Sequence, residues 1–199
     1  MALKKIAEGA EADIYTLNFF GIDSVMKFRR PKPYLVKEIE ESLRSVRTKT
    51  EARILSKASA ITNAPKPLFV SKYGIIMEKL PGLQASKMPS LGSANAERAA
   101  LILAKLHNVG IIHGDFTKAN LLVSNDMLSV IDFGLSYFSS SPEDMAFDVL
   151  LAKRSISNSE YIRFRAQYSK SCFKSKVVLN KLEEIERRGR YQNRSLDTK

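Results

Sequence analysis

The sequence predicts an α+β protein of two lobes: a small antiparallel sheet with one long helix over residues 1–80, and a mainly helical part over residues 81–199. Three observations carry that reading. Residues 3–7, 14–20 and 24–28 are short runs of strand character joined by turns. Residues 34–58 change to a helical period, and Asp115, Asn120 and Asp132 fall within eighteen positions, each beside an apolar run that a short strand can hold.

Composition bounds what such a chain can be. Its 199 residues suffice for one sizeable core or two small lobes sharing an interface, and 44% hydrophobic with 27% charged residues describes an ordered globular protein. With 32 Lys and Arg against 21 Asp and Glu the net charge is +11, so a polyanion is a reasonable partner: ATP together with an RNA, or an acidic protein face. A merely soluble basic surface accounts for the charge equally well. The single Cys172 excludes a disulfide framework and an all-cysteine zinc site, and two histidines, His107 and His113, are too few for most His-rich metal sites. The first residues lack the apolar core of a signal peptide, and no run approaches the ~20 apolar residues of a membrane span. A reducing, cytoplasmic setting is the expectation.

Along the chain, the turn between the first two strands reads Glu8-Gly9-Ala10-Glu11-Ala12-Asp13. Backbone amides at Gly9 and Ala10 can approach phosphates, provided that the three acids point away or are neutralised by metal. A plain hairpin turn is the alternative, and no Walker A sequence occurs. Lys27, flanked by apolar residues, is either an edge-strand solubiliser or a lysine gripping the α and β phosphates. The choice depends on a carboxylate to orient it. Pro31 and Pro33 break the chain before the helix, whose expected apolar stripe is Leu35, Ile39, Leu43, Val46, Ile54 and Leu55, with Glu40 and Arg44 four apart. Glu51, on the border of that stripe, can face the sheet and pair with Lys27. After Pro65 and Pro67, strands at 68–70 and 74–77 lead into an extended segment ending in Pro81-Gly82. There the backbone of Glu78 and Leu80 is the candidate for an adenine edge, with Met77 lining the pocket.

In the second part, Ser93 is a candidate cap for a helix to Asn108 that buries Ala100, Leu101, Leu103, Ala104 and Leu106 and ends at Gly110. His107 reads as a packed helix-end histidine. The chain then runs Ile-Ile-His113-Gly114-Asp115-Phe-Thr117-Lys118-Ala-Asn120-Leu-Leu and, nine residues later, Ile131-Asp132-Phe133-Gly134. Asp148 is expected to open a helix and brace the loop before it. Further helices fit 159–171 and 175–188, the latter with Val178, Leu179, Leu182 and Ile185 inward. Residues 187–194 are basic with one aromatic, a composition suited to phosphate-backbone contacts with RNA, with a plain solvated tail as the alternative.

The 113–134 segment resembles the protein-kinase pattern of His-Arg-Asp, four residues, Asn, then Asp-Phe-Gly. Phosphoryl transfer needs positioned charge more than covalent chemistry, which accounts for the residue types. Asp115 would meet the attacking hydroxyl or water, Asn120 and Asp132 would hold magnesium (or manganese) on ATP, and Lys118 would reach the γ-phosphate. Gly114 stands in place of the arginine of regulated kinases, and no Ala-Pro-Glu follows. Control by a phosphorylated activation loop is therefore not expected, nor is the usual peptide platform.

Taken together, Glu8-Gly9-Ala10-Glu11-Ala12, Lys27 with Phe28-Arg29-Arg30-Pro31-Lys32 and Tyr34, Glu51-Ala52-Arg53-Ile54-Leu55, Met77-Glu78, the His113 to Asn120 loop, Glu143-Asp144 through Asp148 and Arg188-Gly189-Arg190 resemble the small atypical kinase subunit of the KEOPS complex. Thr117 separates the chain from the RIO kinases, which tend to have Ser there, and from aminoglycoside-type kinases. Met145 departs from the Lys usual in the family. The resemblance implies a minimal two-lobed protein-kinase-like fold and an ATP-dependent Ser/Thr kinase or ATPase supporting threonylcarbamoyladenosine formation in tRNA. It also implies docking on the metal-binding subunit that transfers the threonylcarbamoyl group and on other KEOPS subunits; members are sometimes fused to that partner, and a free-standing chain is expected here. Two other readings are a small-molecule kinase, for which the long acceptor-building insertions are absent, and a nucleotide-binding pseudokinase module. The complete set Lys27, Glu51, Asp115, Asn120 and Asp132 argues against the second.

Overall fold

The computed structural model describes residues 3–9, 11–32, 36–125 and 127–196, with side chains as far as Arg188. Ala10, Pro33, Tyr34 and Leu35 of the sequence reading lie outside the described residues, as do the side chains of the tail from residue 189 onward. Five strands form an antiparallel sheet: β1 (Lys4–Glu8), β2 (Ala12–Phe19), β3 (Ile22–Arg29), β4 (Pro67–Val70) and β5 (Gly74–Glu78), in the order β1-β2-β3-β5-β4. β2 and β3 are joined by two residues, Phe20 and Gly21, with φ of 49° and 86°, the positive pair that matches the twist of a tight hairpin. The register sets Lys27 between Ile14 on one side and Ile75 on the other. β3 is thus central, and Lys27 is not an edge-strand solubiliser.

Helix α1 (Lys37–Ser59) crosses this sheet, with Glu38 and Glu40 in its first turn where the helix dipole favours negative charge. Its inward face corrects the expected apolar stripe. Ile39, Leu43 and Val46 are exposed, while Glu40, Thr48, Glu51, Ala52, Ile54, Leu55 and Ala58 are buried. The reason is what lies against the helix: the end of β3 presents the buried guanidinium of Arg29, which Thr48 and Glu51 meet from the middle of α1, the buried Glu40 of the first turn pairs with Arg44, and apolar residues face inward only beyond Glu51.

The remainder is mainly helical. Helix α2 (Ser93–Asn108) packs on α4 (Asn158–Ser171), and α3 (Pro142–Ser155) on α5 (Ser175–Leu196). Short strands β6 (Leu83–Gln84), β8 (Leu121–Ser124) and β9 (Met127–Val130) form a second sheet, and β7 (Ile111–Ile112) pairs with β10 (Tyr137–Phe138). Gly92, with φ of 82°, rather than Ser93 occupies the cap position of α2, and Leu101 is 38% exposed rather than buried, since α4 covers the neighbouring face. Helix α3 begins at Pro142 with the Ser141 side chain accepting from the amides of Glu143 and Asp144, so Asp148 lies inside the helix instead of opening it. Helix α4 starts with a reciprocal Ser157 and Glu160 capping box, and α5 continues to Leu196, beyond the expected end near Arg188.

One apolar cluster runs through both parts. It includes Ile54, Leu55 and Ile75 on the sheet side and Leu103, Phe116, Phe133, Val149 and Tyr168 among the helices. Among the described residues no helix is long and apolar enough to cross a membrane.

Candidate active site

Lys27 is 8% exposed, and its ammonium has two carboxylate partners: Glu51 Oε1 at 2.8 Å and Asp132 Oδ1 at 2.6 Å. The site therefore joins the central strand, helix α1 and the segment after β9. Glu51 is a shared acceptor, its other oxygen taking Arg29 Nη2 at 2.5 Å. Buried charges persist only when paired, and each is paired here. Burial pulls the Lys27 pKa down, but the charges of Glu51 and Asp132 outweigh it and hold the amine above its ordinary value. For Asp132, burial works upward and is outweighed by the Lys27 ammonium and the Gly134 amide, so the carboxyl sits below the usual range. Its side chain is 54% exposed, and its backbone has φ of 64°, a left-handed conformation uncommon for a residue with a Cβ. At Gly134 a Cβ would come within 2.8 Å of Lys27 Nζ, which explains a glycine beside this ion pair.

Asn120 ties the preceding loop to the same place. Its Nδ2 donates to both the carbonyl oxygen and Oδ2 of Asp115, each at 2.8 Å, and its own carbonyl accepts from the Ile131 amide at 2.9 Å, one residue before Asp132. Asp115, Asn120 and Asp132 are thus linked through one hydrogen-bonded stretch.

The loop is braced from beneath. Asp148 accepts from the amides of His113 at 2.7 Å and Gly114 at 2.8 Å, and its Oδ2 lies 3.2 Å from His107 Nε2. His107 Nδ1 is in turn 2.6 Å from the Tyr168 hydroxyl. His113 is fully buried against Phe116 and Phe133, and burial pushes its pKa down, so the ring is neutral. Gly114 has φ of 81°, and a Cβ there would collide with the carbonyl of Leu135.

Other expected residues are placed less directly. Lys118 Nζ donates to the Met88 carbonyl at 3.2 Å, apart from the Lys27 cluster. Met77 is buried opposite Val25. The Glu78 amide donates to the Lys66 carbonyl at 3.0 Å, so of the expected backbone groups this one is already engaged. The Gly9 amide closes its own turn onto the Ala12 carbonyl at 3.0 Å. The acids of that loop are met by basic side chains: Lys5 and Arg30 on Glu8, both again on Asp13, and Arg47 on Glu11. Sequence reasoning missed Arg29 as the second partner of Glu51 and Tyr168 as the end of the brace. Arg29 had a signal, since it lies two residues after Lys27 and so on the same face of the strand.

The donor set can be tested against magnesium. With Asn120 Nδ2 engaged by Asp115, its Oδ1 is left with the Asp132 carboxylate, two hard oxygen donors. Magnesium takes one or two carboxylates and completes its shell with water and phosphate, so the pair fits magnesium carried on a nucleotide. It does not fit an all-protein cage, and among the described residues no group of three or more His, Cys, Asp or Glu could hold a metal.

The RIO domain matches residues 25–171. A probable serine/threonine-protein kinase BUD32 homolog of Archaeoglobus fulgidus is 36% identical over 197 residues, covering 96% of this chain and 97% of its own. The EKC/KEOPS complex subunit BUD32 of Enterocytozoon bieneusi is 34% identical over 203 residues, covering 93% and 97%. A probable bifunctional tRNA threonylcarbamoyladenosine biosynthesis protein of Methanobrevibacter smithii is 35% identical over 94% of this chain, which spans only 36% of that protein's length. Among solved structures, the Rio2 kinase of Chaetomium thermophilum, in its ADP/Mg2+-phosphoaspartate complex, superposes with a TM-score of 0.66 over 96% of this chain and 72% of its own, at 20% identity, a likeness of fold. A kinase-like fold, a RIO domain across most of the chain and relatives matched nearly end to end agree: the chain belongs to the Bud32 family of RIO-domain proteins.

Proposed function

We propose that the chain is an atypical Ser/Thr protein kinase or ATPase that transfers the γ-phosphoryl of ATP with magnesium and supports tRNA threonylcarbamoyladenosine formation as a KEOPS subunit. The observation that carries this reading is the convergence of Lys27, Glu51 and Asp132, with Asp115 and Asn120 hydrogen-bonded into the same stretch. Residues 1–80 form the ATP clamp and residues 81–199 carry the catalytic loop.

Within that clamp, Gly9 and Ala10 cover the phosphates, and the Glu78 carbonyl and Leu80 amide take the adenine edge beside Met77. Lys27, oriented by Glu51, releases Asp132 when it turns to the phosphates. Asn120 and Asp132 hold the magnesium, which when bound neutralises phosphate charge. Asp115, with one carboxylate oxygen fixed by Asn120, keeps the other for the attacking hydroxyl or water. Lys118 swings from the Met88 carbonyl to meet charge building on the γ-phosphate. The relatives' names support other KEOPS subunits as partners; we extend this to the metal-binding threonylcarbamoyl-transferring subunit, and to tRNA through the basic surface and the C-terminal tail. The setting is the cytoplasm.

The test is magnesium-dependent ATP turnover, measured with and without tRNA and the metal-binding subunit, scoring phosphate on protein against free phosphate. Asp115→Asn and Asp132→Asn should each lower it about 10²-fold or more. Turnover that survives both substitutions sinks the reading.

A further inference from the structure

A second concentration of charge surrounds a cavity of about 270 Å3 between the end of β3, the loop before β2 and the first half of α1. Five cations line it, Arg29, Arg30, Lys32, Arg44 and Arg47. Only two carboxylates, Glu11 and Glu40, share the wall. Glu40 is committed to Arg44 at 3.0 Å, Arg30 turns to Glu8 and Asp13, and Arg29 to Glu51, which leaves Lys32 and Arg47 grouped around Glu11.

Two observations mark the place as made for an anion. Arg29 is 3% exposed, and while its terminal nitrogens reach Glu51 and Thr48, its Nε has no partner. A buried guanidinium N–H without an acceptor is uncommon and costly. Glu11 already acts as an internal anion there, paired with Arg47 and 3.8 Å from Lys32. Burial works to raise its pKa, but Arg47 and Lys32 outweigh that and keep it ionised. One carboxylate, however, stands against the two cations Lys32 and Arg47, and a guanidinium fork matches a tetrahedral oxyanion with two parallel hydrogen bonds.

We infer that this cavity binds a phosphate dianion, free or as a phosphate monoester, in competition with the Glu11 carboxylate. Occupancy releases Glu11 and so one of the tethers of the 8–13 loop, with Glu8 and Asp13 still held by Lys5 and Arg30. Because Arg29 holds Glu51 and Glu51 holds Lys27, occupancy also bears on the Lys27 pair. That last consequence rests on the proposed function; the binding does not.

The experiment is calorimetric titration of the full chain with inorganic phosphate in chloride buffer without nucleotide, read independently of turnover. The expected result is saturable binding that Lys32→Ala with Arg47→Ala weakens about tenfold or more, and that Glu11→Gln tightens by about the same factor. Lys118→Ala should leave it unchanged. O-phosphoserine binding more tightly than phosphate identifies a phosphorylated side chain as the source, and weaker binding identifies the free ion. No binding by either the unaltered chain or Glu11→Gln overturns the inference. So does binding that only Lys118→Ala removes, because phosphate would then sit at the nucleotide-facing site.

Discussion

The two loops that face the proposed nucleotide site are held by opposite means. The loop at 113–120 rests on Asp148, a buried carboxylate fed by backbone amides and His107. The loop at 8–13 is tethered through ion pairs, Glu8 with Lys5 and Arg30 and Glu11 with Arg47, at side chains roughly a third to a half or more exposed, with Asp13 at its end the one buried acid. The first arrangement fixes the loop's geometry in low dielectric, where salt does not reach it. The second holds its loop in place yet lets it go cheaply, as suits a cover that opens and closes.

The largest effect should come from removing the brace. Asp148→Ala strands two buried amides, each costing ~1–3 kcal/mol, so urea unfolding should show a loss of about 3 kcal/mol or more. Asp148→Asn, which keeps one acceptor oxygen, should lose about half as much. A loss below about 1 kcal/mol for the alanine variant would break the contrast.

Acid should separate the two classes next. Glu160 is held like Asp148, accepting from the Ser90 hydroxyl and the amides of Gly92 and Ser157; burial works to raise its pKa, but these donors outweigh it and bring it from 4.5 to about 2. A carboxyl depressed on folding contributes stability that is fully present above pH 4.5 and is lost as pH falls towards about 2. Thermal melts of Glu160→Gln should therefore be less stable than the unaltered chain at pH 6 and converge with it near pH 2. Curves that stay parallel throughout would contradict that hydrogen-bonded brace.

Salt provides the complementary cut. At 1 M the screening length falls to ~3 Å, so amide exchange should accelerate in the 8–13 loop relative to low salt and stay unchanged in the 113–120 loop. Equal responses in both loops would dissolve the distinction. Smallest of all, Arg47→Ala should change global stability by less than about 1 kcal/mol while raising exchange around Glu11.

How much of this was readable in the sequence follows from the physics of each residue. Lys27 and Glu51 were legible because strand alternation and helical spacing fix which face each occupies before any packing is known. The stripe of Ile39, Leu43 and Val46 misled, because apolar periodicity assumes an apolar target, and the buried guanidinium of Arg29 supplies a polar one. Leu101 failed similarly: the period places it near the covered face of α2, and only the position of α4 decides how far cover extends. The bracing role of Asp148 was anticipated, but its place within α3 was missed although the serine cap and proline seven and six residues earlier mark the helix start. The His107 to Tyr168 contact joins residues 61 apart, and no local pattern announces such a pair. The continuation of α5 to Leu196 was missed because a glycine at 189 reads as a stop, whereas helical neighbours carried it through.

Gly114 has a consequence for how the chain can be controlled. Its left-handed backbone, pressed against the carbonyl of Leu135, closes the position to every side chain, arginine included. A point mutation cannot restore the arginine that phosphorylation-controlled kinases carry there; residues around Leu135 would have to move at the same time. An arginine placed at 114 in this backbone meets strain and a collision together, so the protein as it is folded is closed to control through a side chain at that position.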